Sequence, residues 1–178
     1  MRITACSSAF FTKETYEIKK KLEEKGHEVF VYPSEVEVDG KTVYVEDYYG
    51  MRKNDLTPNL LKIKTQLIDK HIKKIKNSDA ILVLNFDKGG EKGYIGGNTF
   101  LEMAIAYFLD KKIFSWKKPS ENLPYFEEVA ALNPIIIEED LEKIRCARTS
   151  KPGKYWAVYK RLHPNCHVSP QFRTHNIR

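Results

Sequence analysis

Residues 146–178 contain no aspartate or glutamate, although the chain of 178 residues carries 24 acids. Seven of its 30 basic residues lie there: Arg148, Lys151, Lys154, Lys160, Arg161, Arg173 and Arg178. The other 23 sit among residues 1–145 against the 24 acids, so the net charge of +6 comes from the tail. A nucleic-acid partner would therefore rest on the basic tail alone. Long apolar runs are also lacking. None approaches the length that crosses a bilayer, and the opening "MRITACSSAFF" has no secretory pattern. The expectation is a cytoplasmic protein with no membrane partner. Only three cysteines occur, Cys6, Cys146 and Cys166, too few for a disulfide framework and expected to be reduced.

A hydrophobic content of 42% with 30% charged residues fits a globular chain. The length suits one domain, residues 1–145, with a basic C-terminal extension, residues 146–178. "RITACSSAF" predicts a buried strand and a loop, "TKETYEIKKKLEEKG" a helix stopped at Gly26, and "HEVFVYP" a second strand. That βαβ start predicts a parallel sheet. "EVEVDGKTVYVEDYY" breaks the rhythm. Its alternation and its Asp39-Gly40 pair predict a β-hairpin. Tyr44, Tyr48 and Tyr49 then either cover a pocket or pack on the sheet edge.

"TPNLLKIKTQLIDKHIKKIKNS" predicts an amphipathic helix with Thr57 as N-cap and Pro58 in its first turn. "DAILVLNF" is a continuous apolar run, as a central parallel strand requires. A Gly-rich loop follows, then "NTFLEMAIAYFLDKK", a helix apolar almost all round and so expected to be deeply packed. "KIFSW", "PYFEEVAAL", "NPIII" and "EEDLEKI" predict strand, helix, strand and helix. The alternation gives a doubly wound α/β sheet, in which ligands bind beyond the carboxyl ends of the strands.

Chemistry-bearing residues gather at that end. Gly96 and Gly97 precede Asn98 and Thr99 at a helix start, where unpaired N–H groups favour an anion. The loop matches neither the P-loop nor the dinucleotide fingerprint. Ser7 and Ser8 follow the first strand, and Asn85 follows the central one. Thr99 to Glu102 has the spacing of a capping box, which reads Glu102 as a helix cap. Placed in the first turn, it would be held ionised by the helix dipole. Cys6 has no histidine at a recognisable spacing, so a buried structural thiol is expected. His163, Cys166 and His167 cluster in the tail without a second ligand pair, and no metal site is assigned.

Two stretches then carry a resemblance. "ITACSSAFFTKETYEIKKKLEEKGHEVFVYP" and "SDAILVLNFDKGGEKGYIGGNTFLEMAIAYFLDKKIFSW" resemble the nucleoside 2-deoxyribosyltransferase superfamily, which includes nucleoside 5′-monophosphate N-glycosidases. The resemblance implies a flavodoxin-like, Rossmann-like fold and makes Glu102 the nucleophile that attacks the anomeric carbon and forms a covalent sugar ester. It makes Asp79 the residue that positions the sugar or assists the base. Ser7, Ser8, Asn85, Gly96, Gly97, Asn98 and Thr99 become the substrate-binding set. The implied partner is a nucleoside or nucleotide, no cofactor is needed, and a homo-oligomer is expected. The transferases carry an Asp six residues before the nucleophile. Here that position is Gly96, which favours hydrolysis over base exchange. A non-catalytic nucleotide-binding or sensing module of the same fold is the alternative.

Overall fold

The computed structural model describes residues 1–54 and 56–144. The basic extension, with its nucleic-acid reading and its His/Cys cluster, lies outside the described residues.

Five strands form one parallel sheet: β1 (Arg2–Cys6), β2 (Glu28–Phe30), β5 (Ala80–Val83), β6 (Lys112–Ser115) and β7 (Ile135–Ile136). Their order is β2-β1-β5-β6-β7. Within the sheet this is the 2-1-3-4-5 winding of flavodoxin-like folds, with its reversal between β1 and β5. The register aligns Cys6 with Val83 and Val83 with Ser115, so three carboxyl ends finish level.

Alternation along each strand builds the two cores. In β5, Ala80 and Leu82 face one side with Ile3 and Ala5 of β1; Ile81 and Val83 face the other with Cys6. Helix α1 (Thr12–Glu24) covers the first face through Ile18 and Leu22. The second face is covered by α3 (Pro58–Asn77), α4 (Gly97–Phe108) and α5 (Phe126–Ala131) through Ile75, Met103, Ala106 and Val129. Helices on both faces make the sheet doubly wound, as the sequence predicts.

The hairpin also forms as expected. β3 (Glu35–Val38) pairs antiparallel with β4 (Lys41–Tyr44), and the turn residues Asp39 and Gly40 take φ of 51° and 75°. Positive φ at both central positions is what an Asp-Gly turn supplies. Thr57 caps α3 by accepting from the Leu60 N–H, with Pro58 opening the helix.

Three expectations need correction. A helix absent from the sequence reading, α2 (Val45–Asn54), follows the hairpin directly. It buries only Val45 and Tyr48, which packs beneath the hairpin and donates its hydroxyl to the Leu60 carbonyl at 2.8 Å. The predicted last helix is a single 3-10 turn, Leu141–Lys143, because Glu138 and Glu139 take φ of 51° and 63° and break any helix there. Finally, α4 is not deeply packed all round: Leu101 and Phe108 are 46% and 72% exposed.

Candidate active site

A cavity of about 350 Å³ opens where the strand order reverses, at the carboxyl ends of β1 and β5. That is the size of a small-molecule site. The loop after β1 supplies Ser7 and Ser8, α2 supplies Glu46, Tyr49 and Lys53, α3 supplies Lys64 and His71, and α4 supplies Gly97 through Thr99 and Glu102. Six of the seven substrate-binding residues read from the sequence therefore line the cavity: Ser7, Ser8, Gly96, Gly97, Asn98 and Thr99.

Asn85 does not. Its side chain is buried, accepting from the Lys117 N–H at 2.9 Å and donating to the Lys117 carbonyl at 2.9 Å. It ties the Gly-rich loop to the segment after β6. Gly93 closes the same junction with φ of 67°, where a Cβ would stand 2.2 Å from the Lys118 carbonyl oxygen. Only glycine fits such an approach.

Asp79 also stands apart from the cavity. It immediately precedes β5, at the amino end of the sheet, where its carboxylate accepts from the Arg2 backbone N–H at 2.8 Å and pairs with the Arg2 guanidinium at 3.0 Å. The Arg2 N–H holds this carboxyl below its usual pKa. The geometry describes a clamp between two strand starts, on the edge opposite the one where ligands bind in such sheets.

Glu102 is where the structure changes the chemistry most. The N-cap of α4 is Gly96, with no side-chain cap, and the helix begins at Gly97. Glu102 is therefore the sixth helical residue, in the second turn, and the capping-box reading fails. Its side chain is 19% exposed, towards the cavity, and Oε2 is buried without a hydrogen-bond partner. Burial pushes its pKa up to about 8, against smaller opposing effects of Cys6 and Lys64. Desolvation thus outweighs any dipole stabilisation, and the resting carboxyl is a neutral acid at pH 7.

Two groups touch it. His71 Nε2 lies 3.6 Å from Glu102 Oε1 and 3.6 Å from Cys6 Sγ. Burial, then Lys74 and Lys64, brings the His71 pKa down to about 4, so the contact joins two neutral groups and is not an ion pair. The imidazole Nδ1 is buried and unpartnered. Cys6 is fully buried, and burial followed by Glu102 raises its thiol well above the usual range. Cys6 therefore does have a histidine beside it. His71 lies 65 residues away, beyond any local spacing, and shares the apolar stripe of Leu67 and Ile75 at helical spacing. A polar residue on a buried stripe is the signal that marks it.

The rest of the wall is aromatic and cationic. Tyr49 accepts from Lys64 Nζ at 2.8 Å and from Asn98 Nδ2 at 3.4 Å, joining α2 to α3 and α4. The three tyrosines split: Tyr49 lines the cavity, Tyr48 is core, and Tyr44 is 62% exposed. Lys88 Nζ stands 5.1 Å from the ring centroids of Phe10 and Tyr94 and donates to Ser8 Oγ at 3.4 Å. Ser7 Oγ is held by Thr15 at 2.7 Å and Tyr32 at 3.1 Å. Burial, then Arg52, lowers the Lys64 ammonium to a pKa of about 8.

No family model and no curated protein matches the chain. Among solved structures it is similar to a 2-deoxyribosyltransferase from the psychrotolerant bacterium Bacillus psychrosaccharolyticus, at 18% identity over 76% of this chain and 98% of that one, with a TM-score of 0.39. It is also similar to the CMP N-glycosidase BcmB of Clostridium botulinum, at 18% identity over 78% of this chain and 90% of that one, with a TM-score of 0.39. Likeness at this level assigns no role to any residue here.

Proposed function

We propose that this protein cleaves the N-glycosidic bond of a nucleoside 5′-monophosphate, with Glu102 as the nucleophile. The observation that carries the reading is a desolvated carboxyl, Glu102, facing a cavity at the topological switch point. The sequence resemblance supports the same residue. In the reaction an oxygen of the ionised Glu102 bonds to the anomeric carbon as the carbon–nitrogen bond breaks, the bonding pair leaves with the base, and the base takes its proton from water. Water then hydrolyses the sugar ester and regenerates the carboxyl.

The phosphate is inferred from charge. Lys53, Lys64 and Lys88 line the cavity against two carboxyls, Glu46 and the neutral Glu102. Gly97 to Thr99, the first turn of α4, line the same space, and a helix start favours an anion. Glycine at position 96, where the transferases that the sequence resembles carry an Asp, favours water over a second base as the acceptor of the sugar.

The alternative, a nucleotide sensor without turnover, draws on the same neutral Glu102, since a protonated carboxyl is a poor nucleophile. A panel of deoxyribonucleosides and their monophosphates, assayed for released base, separates the two. Release from a monophosphate that is lost in Glu102→Ala supports the glycosidase. Thermal stabilisation by nucleotides with no release supports the sensor, and unchanged release in Glu102→Ala removes the mechanism.

A further inference from the structure

Cys6, His71 and Glu102 come from three elements, β1, α3 and α4, and present sulfur, nitrogen and oxygen donors to one another inside the protein. Cys6 Sγ and His71 Nε2, 3.6 Å apart, are within range of a sulfur hydrogen bond, but the contact between His71 and Glu102 is a poor one. The His71 Nε2 to Glu102 Oε1 separation of 3.6 Å exceeds hydrogen-bond range, and His71 Nδ1 and Glu102 Oε2 are buried with no partner at all. As edges of a coordination tetrahedron the distances fit well. Zinc bonds of about 2.3 Å to sulfur and about 2.0–2.1 Å to nitrogen or oxygen, at tetrahedral angles, give edges of about 3.6 Å for S···N and about 3.3 Å for N···O. The corresponding separations are 3.6 Å for Cys6 Sγ to His71 Nε2 and 3.6 Å for His71 Nε2 to Glu102 Oε1, with all three donors within 4.8 Å of one another.

We propose that Cys6, His71 and Glu102 bind a single borderline divalent cation, of the Zn²⁺ or Co²⁺ class. Thiolate, imidazole and carboxylate together select that class over Mg²⁺ or Ca²⁺, which take oxygen ligands. Three protein ligands leave a fourth position, and His71 and Glu102 turn it towards the cavity. Cation binding occupies the Glu102 carboxylate, so it opposes attack by that oxygen on a sugar. Only this inhibitory consequence rests on the glycosidase reading; the binding itself does not.

The test is a Co²⁺ titration of the full chain carrying Cys146→Ser and Cys166→Ser, so that no tail thiol contributes. The expected result is a near-ultraviolet thiolate-to-cobalt absorption that saturates at one cobalt per chain and is displaced by Zn²⁺. It is lost in Cys6→Ser, while Glu102→Gln, which retains the fold, weakens cobalt binding by roughly tenfold or more. Absence of the band, its survival in Cys6→Ser, or unchanged affinity in Glu102→Gln overturns the site. Base release that Zn²⁺ suppresses and EDTA restores supports the inhibitory role. Cobalt binding by a protein that releases no base even when kept metal-free in EDTA supports the site while removing the glycosidase reading.

Discussion

Replacing Glu102 by Gln should stabilise this protein, and by an amount that grows with pH. Glutamine has the shape of the protonated carboxyl, so the substitution removes the ionisation and little else. Burial lifts the Glu102 pKa to about 8 in the folded chain, against about 4.3 when unfolded. Between those values the unfolded chain has released the proton and the folded chain still holds it, so folding stability falls as pH rises. The carboxyl's contribution is whole below the unfolded pKa and is lost by the time pH passes the folded one. Linkage gives a penalty of about 1 kcal/mol at pH 5 and about 4–5 kcal/mol at pH 8. The 19% of the side chain that faces the cavity moderates the upper figure through solvent. Urea unfolding of wild type and Glu102→Gln, in EDTA at pH 5, 6, 7 and 8, measures the difference. The gap should widen across the series by roughly 3 kcal/mol, or roughly 10 °C in Tm for a chain of this size. A difference that stays constant with pH, or a destabilised variant at pH 8, would refute the desolvated carboxyl.

Three further outcomes follow from the same geometry. Base release should climb with pH by about tenfold per unit up to about pH 8, as Glu102 ionises, and then fall as Lys64, also at about 8, loses its charge; a flat profile from pH 5 to 9 contradicts this. Asp79→Asn should cost at most about 1 kcal/mol, its pair with Arg2 being half-exposed, and leave kcat/KM within about twofold; a large loss of turnover returns Asp79 to the chemistry. Gly93→Ala should cost roughly 2–4 kcal/mol in chemical unfolding, because φ is 67° and the new Cβ meets the Lys118 carbonyl at 2.2 Å; a near-neutral variant would show that this junction yields.

Elements with strong periodicity are legible in the sequence. The stripe of α3, its Thr57 cap and the continuous apolar run of β5 are each decided by local sequence, and their alternation fixes a parallel sheet. α2 was not legible because Val45 and Tyr48 alone are buried, too few to mark a period, and Gly50 interrupts it. The site was legible in part. Small and glycine residues at strand ends point to the cavity wall, which six of them line. The environment of Glu102 was not legible, since the capping-box spacing from Thr99 presumes a helix start that lies at Gly97 instead. Nor was the meeting of Cys6 with His71, which only the docking of α3 against β1 brings within 3.6 Å.

The claim that Glu102 attacks the sugar is tested most directly by rapid quenching during turnover of a deoxyribonucleoside monophosphate, followed by peptide mass analysis. The prediction is a transient sugar-phosphate ester on the peptide containing Glu102, absent from Glu102→Gln. Release of base at an undiminished rate by Glu102→Gln, with no adduct on that peptide in the wild type, would contradict it.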